Sequence, residues 1–489
     1  MSDDLVERVG TGSSSVLRIE ENGINVIAEN ERKGHPRDLF WPWFGANVSV
    51  LGLSYGSFVL GFGISFVQAV IVGAIGVIFS FWLCGVIATA GKRGSAPTMV
   101  LSRAAYGVRG NRLPSAISWL LCVGWETALT VIAVLATSTV FVRLGWGGGD
   151  GVKVVAILVI ATLIIGGGVM GFDLIMRMQA IITVVTGVLT VVFIALTVKH
   201  ISWHVVSHVH AGTFQETLGA LVFIMTGFGL GWVNVAADYS RYLPRSASSR
   251  AVVWWTTFGS SIAPLVLLGF GLLLAGSSSS LSGKVGADPV GALANLLPTW
   301  FLVPFVIVAI LGLVGGAVLD IYSSGLALLS AGLKIPRYAA AGVDGVIMLI
   351  GTIYIVFEKQ NFLYQFEGFL STVGVLIAAW CGVFLGDLLL RKKNYVDVDL
   401  FMSSGRYGDL RLVPIATTII SSFIGWGLVT NSAASWLTWQ GYLLKLFGLG
   451  GKTGAWQYAN LGVIVALALS FVLTILLTRR EVVREEALA

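Results

Sequence analysis

The sequence predicts an all-α polytopic membrane protein with twelve transmembrane helices. Apolar residues make up 56% of the 489 residues and charged residues only 11%, whereas charged residues make up about 25% of an ordinary soluble domain. The mean hydropathy of +0.86 agrees with this class. Long apolar runs, and the placement of Lys and Arg between them, then define the individual helices.

Twelve apolar runs are long enough to cross a bilayer, which takes about 20 residues in an α-helix. The first ten form two consecutive blocks of five. We expect an N-terminal tail at 1–40, five-helix blocks at 41–210 and 211–395, helices 11 and 12 within 396–480, and a C-terminal tail at 481–489. The predicted helices 1 to 12 cover residues 44–63, 66–90, 115–140, 153–171, 174–198, 215–238, 251–275, 300–331, 338–357, 364–390, 412–435 and 457–478.

The basic residues predict the orientation. With the N-terminus in the cytoplasm, inner segments hold 24 of the 31 Lys and Arg residues, and outer segments hold 7. This bias predicts a protein of the inner or plasma membrane with both termini on the cytoplasmic side.

The polar first 40 residues or so predict no cleavable signal peptide. The pI of 9.2 then reflects loops that face anionic lipid, and no nucleic acid is expected as a partner. The seven outer basic residues are Arg143, Lys153, Lys199, Lys284, Lys359, Lys445 and Lys452.

Glycine clusters interrupt predicted helices 1 and 6, each of which begins a block of five. Helix 1 carries Gly52 and Gly56, and helix 6 carries Gly227, Gly229 and Gly231. Because five crossings are an odd number, the second block enters the membrane from the opposite side. Broken helices at matching positions of two inverted halves indicate the binding site of a secondary transporter. Close helix packing is the alternative use of these glycines.

Acidic side chains also lie within the apolar runs, where each costs about 2.5–3.5 kcal/mol to insert. Glu126, Asp320 and Glu367 lie well inside predicted spans. We interpret Glu126 and Asp320 as substrate-binding or proton-coupling groups, because a carboxyl in an apolar site favours its protonated form. A hydrogen-bonded structural acid is the alternative for each. Asp238 and Asp387 lie near inner helix ends beside Arg241 and Arg391, where we expect a cap or an ion pair.

Two tryptophans, Trp125 and Trp232, lie deep in helices 3 and 6 beside polar or broken backbone. Two facing indoles would sandwich a flat heterocycle, each stacking contact contributing about 0.5–1.5 kcal/mol beyond burial.

Motifs of an ATPase and of the common hydrolases are lacking, so we expect no enzyme and no built-in ATPase. Transport would therefore use an ion gradient. A membrane enzyme or sensor is a weaker alternative, since the longest predicted loop holds roughly 25 residues.

No cofactor or metal is expected. The three cysteines, Cys84, Cys122 and Cys381, lie in apolar runs and resemble buried hydrophobic residues. The loop 200–210 contains four histidines, three of them at helical spacing, but it has no acid or cysteine in register. We interpret it as a polar loop at the membrane interface, with metal binding as the alternative.

Several stretches resemble the nucleobase–cation symporters, which include cytosine/purine permeases and hydantoin transporters. Helix 1 begins WFGANVSV, the loop after helix 2 reads GKRGSAPTMVLSRAAYGVRGNRLP, and helix 3 contains Gly124 followed by Trp125. Helix 6 ends ADYSRYLP, and the exit from helix 10 reads DLLLRKKNYVDVDLF. These stretches occur through most of the chain in the order of that family.

The resemblance implies a five-plus-five inverted repeat of the LeuT type, with helices 11 and 12 at the periphery. It implies a purine or cytosine-like substrate, with allantoin, hydantoin, uracil, a pyridoxine-like vitamin or another small solute such as an amino acid as alternatives. Trp125 and Trp232 would stack on the substrate ring. The polar residues that would contact the ring edges are Asn47, Glu126, Asn234 and Asp320.

The coupling cation is open between a proton and sodium. A sodium-coupled member would carry paired hydroxyls on helix 8, and Ser323 and Ser324 fit one register. A second register puts Gly315, Gly316 and Ala317 there, which leaves no sodium site. We favour a proton carried by Glu126 or Asp320. The partners expected are the small heterocycle and membrane lipid, and the sequence does not indicate an oligomeric state.

Overall fold

The computed structural model describes residues 19–358 and 362–487, and every regular element in these ranges is a helix. Residues 1–18 of the predicted N-terminal tail, Lys359 of a predicted outer loop and the last two residues of the predicted C-terminal tail lie outside them. The helices of the membrane domain are α1 (Phe40–Asn47), α2 (Val50–Leu60), α3 (Phe66–Gly94), α4 (Arg112–Arg143), α5 (Asp150–Met170), α6 (Phe172–Thr197), α7 (Phe214–Gly227), α8 (Ser249–Gly276), α9 (Leu302–Ala331), α10 (Arg337–Glu358), α11 (Phe362–Leu390), α12 (Leu412–Gly427) and α13 (Leu461–Ala487).

Within the described residues, ten helical stretches are long and apolar enough to cross a membrane. The bent pair formed by α1 and α2, with an angle of 64° between its arms, brings the number to eleven. Predicted helix 11, at 412–435, is shorter than expected, because α12 ends at Gly427 after 16 residues. Loop amides of Gly441 and Leu443 donate to the carbonyls of Trp426 and Gly427, which draws the chain out of the helix.

The helices pack as two groups. In the first group, α8 lies along α1, α2 and α3, and α7 packs on α3. In the second group, α4 lies along α9, and α5 and α10 pack against both. The helix α6 bridges α1 and α9, whereas α12 and α13 pack together on α11. We therefore expect a functional site to lie between the two helix groups.

The terminal face is the end of this bundle that carries the first and last described residues. It comprises 19–39, 94–112, 170–172, 240–249, 331–337, 391–411 and 479–487, which hydrogen-bond to one another across the sequence. The opposite end is the cavity face, formed by 61–65, 207–213, 277–300 and 428–460. This second face carries His204 and His208 nearby, whose ring centroids lie 4.6 Å apart. Among the described residues, no group of three or more His, Cys, Asp or Glu is arranged to hold a metal ion.

The expected break in helix 1 exists, but it does not lie at the predicted glycines. The chain turns at Val48, and Ser49 then caps α2 by accepting a hydrogen bond from the amide of Leu51. Gly52 and Gly56 lie inside α2 instead, so their assignment to the break is wrong. A Cβ at either glycine would overlap α8, which shows that they permit close packing of two helices.

This packing predicts a sharp difference between two glycines of α8. A Cβ at Gly271 would overlap the carbonyl of Leu53, whereas a Cβ at Gly269 would meet nothing within 4 Å. We expect Gly271→Ala to destabilise the protein by about 1–3 kcal/mol because two backbones must separate. Gly269→Ala is the matched control and should leave the midpoint of thermal unfolding in detergent unchanged or slightly raised. Equal midpoints for the two variants would contradict this packing.

Candidate functional site

A cavity of about 840 Å³ lies between the two helix groups and reaches the cavity face. Its wall is aromatic, with Tyr55, Phe58, Phe223 and Phe366 among the lining residues. Trp125, near the middle of α4, lies at the deep part of the lining. Its ring centroid is 5.0 Å from that of Phe366, with the planes at 82°. The cavity thus presents an indole at about half the depth of the membrane domain.

The deep part of the cavity meets the point where α7 ends. After Gly227 the chain continues as 3₁₀ turns at Gly229–Gly231 and Val233–Val235. The carbonyl of Gly227 accepts a hydrogen bond from the hydroxyl of Tyr55 at 3.3 Å. A Cβ at Gly231 would lie 3.4 Å from Nε1 of Trp125. The three predicted glycines of this helix therefore lie in or beside the broken stretch, and Trp125 rests against it.

Side chains of α3 satisfy the backbone that the break leaves free. The amide of Gly229 donates to Oγ of Ser80 at 3.1 Å, and its carbonyl accepts from Sγ of Cys84 at 3.0 Å. A Cβ at Gly229 would overlap the backbone of Ser80, so only glycine fits there. The break is thus a fixed feature held by α3, not a frayed helix end.

Trp232, the second predicted stacking residue, does not line the cavity. It is half-buried, and its ring meets that of Trp43 edge-on, with centroids 5.8 Å apart. Among the described residues the indoles of Trp125 and Trp232 make no ring contact with each other. In this conformation Trp232 lies on the terminal side of the break, below the cavity floor.

The two predicted asparagines are also buried below the floor. Asn47 is the last residue of α1, and its Nδ2 donates to the carbonyl of Trp43 at 2.8 Å. Asn234 donates from Nδ2 to Oγ of Ser118 at 2.8 Å, while its Oδ1 has no hydrogen-bond partner among the described residues. Asn234 therefore keeps one acceptor free at the broken stretch.

The buried acids lie between α4, α9 and α10, and not on the cavity surface. Glu126 is fully buried on α4, and Oγ of Ser324 lies 3.5 Å from its Oε2. The same hydroxyl lies 2.8 Å from Oδ2 of Asp344 on α10. Asp344 also accepts a hydrogen bond from Nε1 of Trp119 at 2.7 Å. Asp320 is buried on α9, and its Oδ2 has no hydrogen-bond partner among the described residues.

The two serines predicted as a sodium-binding pair face different neighbours. Oγ of Ser323 lies 3.0 Å from the hydroxyl of Tyr239, whereas Ser324 faces the acids Glu126 and Asp344. Because the two hydroxyls face different partners, they do not converge on one ion. Their assignment as paired cation ligands stays a prediction, which these hydrogen bonds do not support.

Glycines form the part of α9 that meets the break between α1 and α2. A Cβ at Gly315 would lie 2.7 Å from the carbonyl oxygen of Gly45, and one at Gly312 would overlap the carbonyl of Val48. Gln179 of α6 fills the adjoining space, where its Nε2 donates to the carbonyl of Gly315 at 2.7 Å. The residues of α9 at this contact are therefore the glycines of the second predicted register, and not the hydroxyls of Ser323 and Ser324.

Sequence reasoning gave no role in the site to three polar residues of this region. Glu367 lines the cavity, Asp344 joins the buried acids, and Gln179 lies between α1 and α9. A signal was present for the two acids, since each is a charged residue inside an apolar span. Gln179 carried no such signal, because an amide in a helix does not reveal which neighbour it contacts.

The terminal face is closed by a carboxylate from the segment before α1. Glu20 forms ion pairs with Arg241 at 3.2 Å and with Arg337 at 3.6 Å, and both guanidinium groups are almost completely buried. It also accepts from the amide of Phe172 at 2.8 Å and from the hydroxyl of Tyr322 at 3.2 Å. One side chain therefore ties the ends of α6 and α10, the middle of α9 and the chain beyond α7.

The two acids predicted near inner helix ends have structural partners. Asp387 forms an ion pair with Arg391 at 2.7 Å, which confirms that prediction. Asp238 accepts hydrogen bonds from the amide and the hydroxyl of Thr98, at 2.7 and 2.8 Å. Of the two roles expected for Asp238, the ion pair with Arg241 is not formed, because the Arg241 guanidinium reaches Glu20. The hydrogen bonds to Thr98 instead cap the start of the short helix Thr98–Leu101.

Comparison with known proteins gives one family and a shared fold. The family described as permease for cytosine/purines, uracil, thiamine and allantoin matches residues 26–434. The putative purine-cytosine permease YxlA of Bacillus subtilis is 26% identical over 449 residues, which cover 89% of this chain and 92% of that protein. The purine-cytosine permease FCY2 of Saccharomyces cerevisiae is 26% identical over 278 residues, covering 54% of this chain and 49% of that protein.

Two solved structures have the same fold. Mhp1, a nucleobase-cation-symport-1 family transporter in a closed conformation with bromovinylhydantoin bound, matches with a TM-score of 0.67 at 16% identity, covering 97% of this chain and 100% of that one. The inward-facing conformation of Mhp1 matches with a TM-score of 0.63 at 17% identity, covering 96% and 99%.

The contacts of Glu20 predict how the terminal face opens. Glu20→Gln removes the carboxylate that compensates two buried guanidiniums, and breaking a buried ion pair in this way costs about 3–5 kcal/mol. We expect faster amide hydrogen exchange at 170–175 and 240–243, measured by mass spectrometry in detergent. Glu29→Gln, at an exposed acid of the same segment, is the matched control. Unchanged protection in Glu20→Gln would show that other contacts hold this face closed.

Proposed function

The chain belongs to the family of permeases for cytosine/purines, uracil, thiamine and allantoin, and we propose that it imports a flat nitrogenous heterocycle together with a cation. It is a membrane transporter and not an enzyme, as its family and relatives are. A purine or a cytosine-like nucleobase is the proposed substrate. Allantoin, hydantoin, uracil, a pyridoxine-like vitamin or another small solute is the alternative. The observation that carries the proposal is the cavity with Trp125 at its deep end, against the break after α7.

The proposed architecture is a LeuT-type inverted repeat of 41–210 and 211–395, with twelve crossings and α12 and α13 at the periphery. The bent pair α1 and α2 opens one half, and the broken α7 opens the other, which supports this arrangement. The terminal face would be cytoplasmic and the cavity face outward, in the inner or plasma membrane. The 24 to 7 division of basic residues supports this orientation.

The substrate would stack on Trp125 and complete its site when the cavity closes. A volume of about 840 Å³ exceeds what a single nucleobase fills, so closure has to bring further groups to the ring. Asn47, Asn234 and Trp232 lie next to the two helix breaks and are the groups we propose to complete the site; the free Oδ1 of Asn234 supports this. Asp320, with an unpaired Oδ2, is the further polar candidate.

The proposed coupling cation is a proton carried by Glu126 or Asp320, with sodium as the alternative. The hydroxyl of Ser323 hydrogen-bonds to Tyr239, whereas the hydroxyl of Ser324 hydrogen-bonds to Asp344. Because the two hydroxyls do not face a common point, they favour coupling to a proton over coupling to sodium. Glu126 and Asp320 are both buried without an ion pair in the described part of the chain, so each changes its interactions strongly when it gains or loses a proton.

Alternating access gives a role to the two faces. The cavity reaches the cavity face while Glu20 ties the terminal face, which is the arrangement of an outward-facing state. Substrate and proton would enter from outside, and release of the Glu20 contacts would accompany opening to the cytoplasm. The helix group of α1, α2, α3, α7 and α8 is the body proposed to rock on the group of α4, α5, α9 and α10.

The gradients provide the direct test. Purified protein in liposomes should accumulate a radiolabelled nucleobase when an inward proton gradient is imposed and should not do so under a sodium gradient of equal size. A panel of purines, cytosine, uracil, allantoin, hydantoin and pyridoxine then ranks the substrates by competition. Accumulation driven only by sodium would contradict proton coupling, and a lack of uptake for every heterocycle would contradict the proposed function.

Stacking on Trp125 predicts a graded series of affinities. Trp125→Ala removes the ring and should weaken the apparent affinity for the nucleobase about tenfold, whereas Trp125→Phe retains a smaller ring and should lose less. Trp146→Ala, at a tryptophan that is 61% exposed, is the matched control. The measurement is the KM for uptake of the best substrate of the panel. A normal KM in Trp125→Ala would remove the stacking interaction.

A further inference from the structure

We propose that Asp344 is a second proton-coupling residue, which shares one proton with Glu126 through the hydroxyl of Ser324. This inference rests on the proposed function of proton-driven uptake and names the site at which the proton is held. It assigns a role to α10, which carries no residue of the predicted substrate site. The three residues come from three helices, α4, α9 and α10.

The hydrogen-bond donors of this cluster decide the number of protons. Ser324 has one hydroxyl hydrogen, but three acceptors lie near its Oγ: Oδ2 of Asp344 at 2.8 Å, the carbonyl of Ile321 at 3.1 Å and Oε2 of Glu126 at 3.5 Å. Asp344 is also the acceptor of the Trp119 indole N–H at 2.7 Å. If Ser324 donates to Asp344, that carboxylate has two donors, and Glu126 can approach the serine oxygen only by donating a proton to it. The geometry thus fits an ionised Asp344 and a protonated Glu126.

The surroundings supply no positive charge that would replace this proton. Glu126, Ser324 and Asp344 are each 0% exposed, and neither acid has an ion pair in the described part of the chain. The titratable groups that interact with them are Asp320 of α9 and Cys122 of α4. Two ionised carboxylates around one hydroxyl would repel each other in a medium of low dielectric constant, so the cluster holds one proton.

Two oxygens of the buried acids have no hydrogen-bond partner among the described residues and can therefore accept a proton. Oε1 of Glu126 is buried and has no hydrogen-bond partner among the described residues. Oδ2 of Asp320, which belongs to the nearest further acid, is also buried and without a partner. A structural acid normally satisfies its oxygens with donors. These two oxygens are positions to which a proton can move.

The cluster is connected to the substrate site through α4. Trp125 and Glu126 are consecutive residues, and consecutive side chains of an α-helix point about 100° apart. Trp125 lines the cavity, while Glu126 faces Ser324 on α9. A substrate that fixes the indole therefore also limits the rotation of this turn, which adjusts the distance between Glu126 and the serine. This is a direct physical route from substrate to proton.

The test separates coupling from folding and from transport. In liposomes, Glu126→Gln and Asp344→Asn should each lose proton-driven accumulation, down to the level without a gradient. Substrate counterflow, which requires no net proton movement, should persist in both. Ser324→Ala should weaken accumulation roughly fivefold, the equivalent of one hydrogen bond. Asp150→Asn, at an acid paired with Lys153 on the surface, is the control that should accumulate as the wild type does.

A spectroscopic readout distinguishes a shared proton from a structural contact. The infrared spectrum of the wild type at neutral pH should contain the carbonyl band of a buried protonated carboxyl group. Glu126→Gln should remove the component of this band that belongs to Glu126 and leave any component from Asp320, and Asp344→Asn should shift the Glu126 component because its partner changes. Should Asp344→Asn fail to fold, accumulation by Ser324→Ala and the infrared spectrum of Glu126→Gln still test whether a proton is shared through Ser324.

The outcomes separate this inference from the proposed function. A wild type without proton-driven uptake would overturn proton coupling itself. A wild type that is proton-driven, together with an Asp344→Asn variant of equal accumulation and equal pH profile, would overturn only the role of Asp344. A Glu126→Gln spectrum with the same protonated carboxyl bands as the wild type would place the proton elsewhere and would overturn the shared site.

Discussion

The structure depends on how the membrane domain pairs the backbone groups that the end of α7 leaves free. Lipid offers these groups no hydrogen-bond partner, so the protein or the water of the cavity must supply one. Tyr55, Ser80 and Cys84 do so from α2 and α3. The same contacts fix where the broken stretch lies, and therefore where the floor of the cavity lies. The site is in this sense a consequence of satisfied hydrogen bonds.

Much of the fold could be predicted from composition and periodicity, since a membrane helix is defined by a local property of about 20 residues. Contacts between distant segments were not predictable. Gly52 and Gly56 were expected at a helix break, yet they pack against α8, because glycine serves both purposes and only the partner distinguishes them. The early end of α12 likewise depends on loop amides that follow it in the chain.

In the candidate site, too, the features set by local sequence were predictable and the contacts between distant helices were not. Trp125 was predicted at a cavity and lines one, because its depth and its neighbours are encoded locally. The partners of the acids were not predicted, since Glu126, Ser324 and Asp344 are separated by many residues and meet only through the packing of α4, α9 and α10. A serine in a sequence does not reveal whether it faces an ion, a carboxyl group or lipid. The orientation of a helix about its own axis settles that question.

The position of Glu20 has a consequence for how the protein is made. Glu20 is translated before its partners Arg241 and Arg337, which follow more than two hundred and three hundred residues later. The segment around Glu20 must therefore stay undocked while most helices insert. The contacts of Glu20 with both arginines are therefore complete only late in biogenesis, after α10 has begun to form.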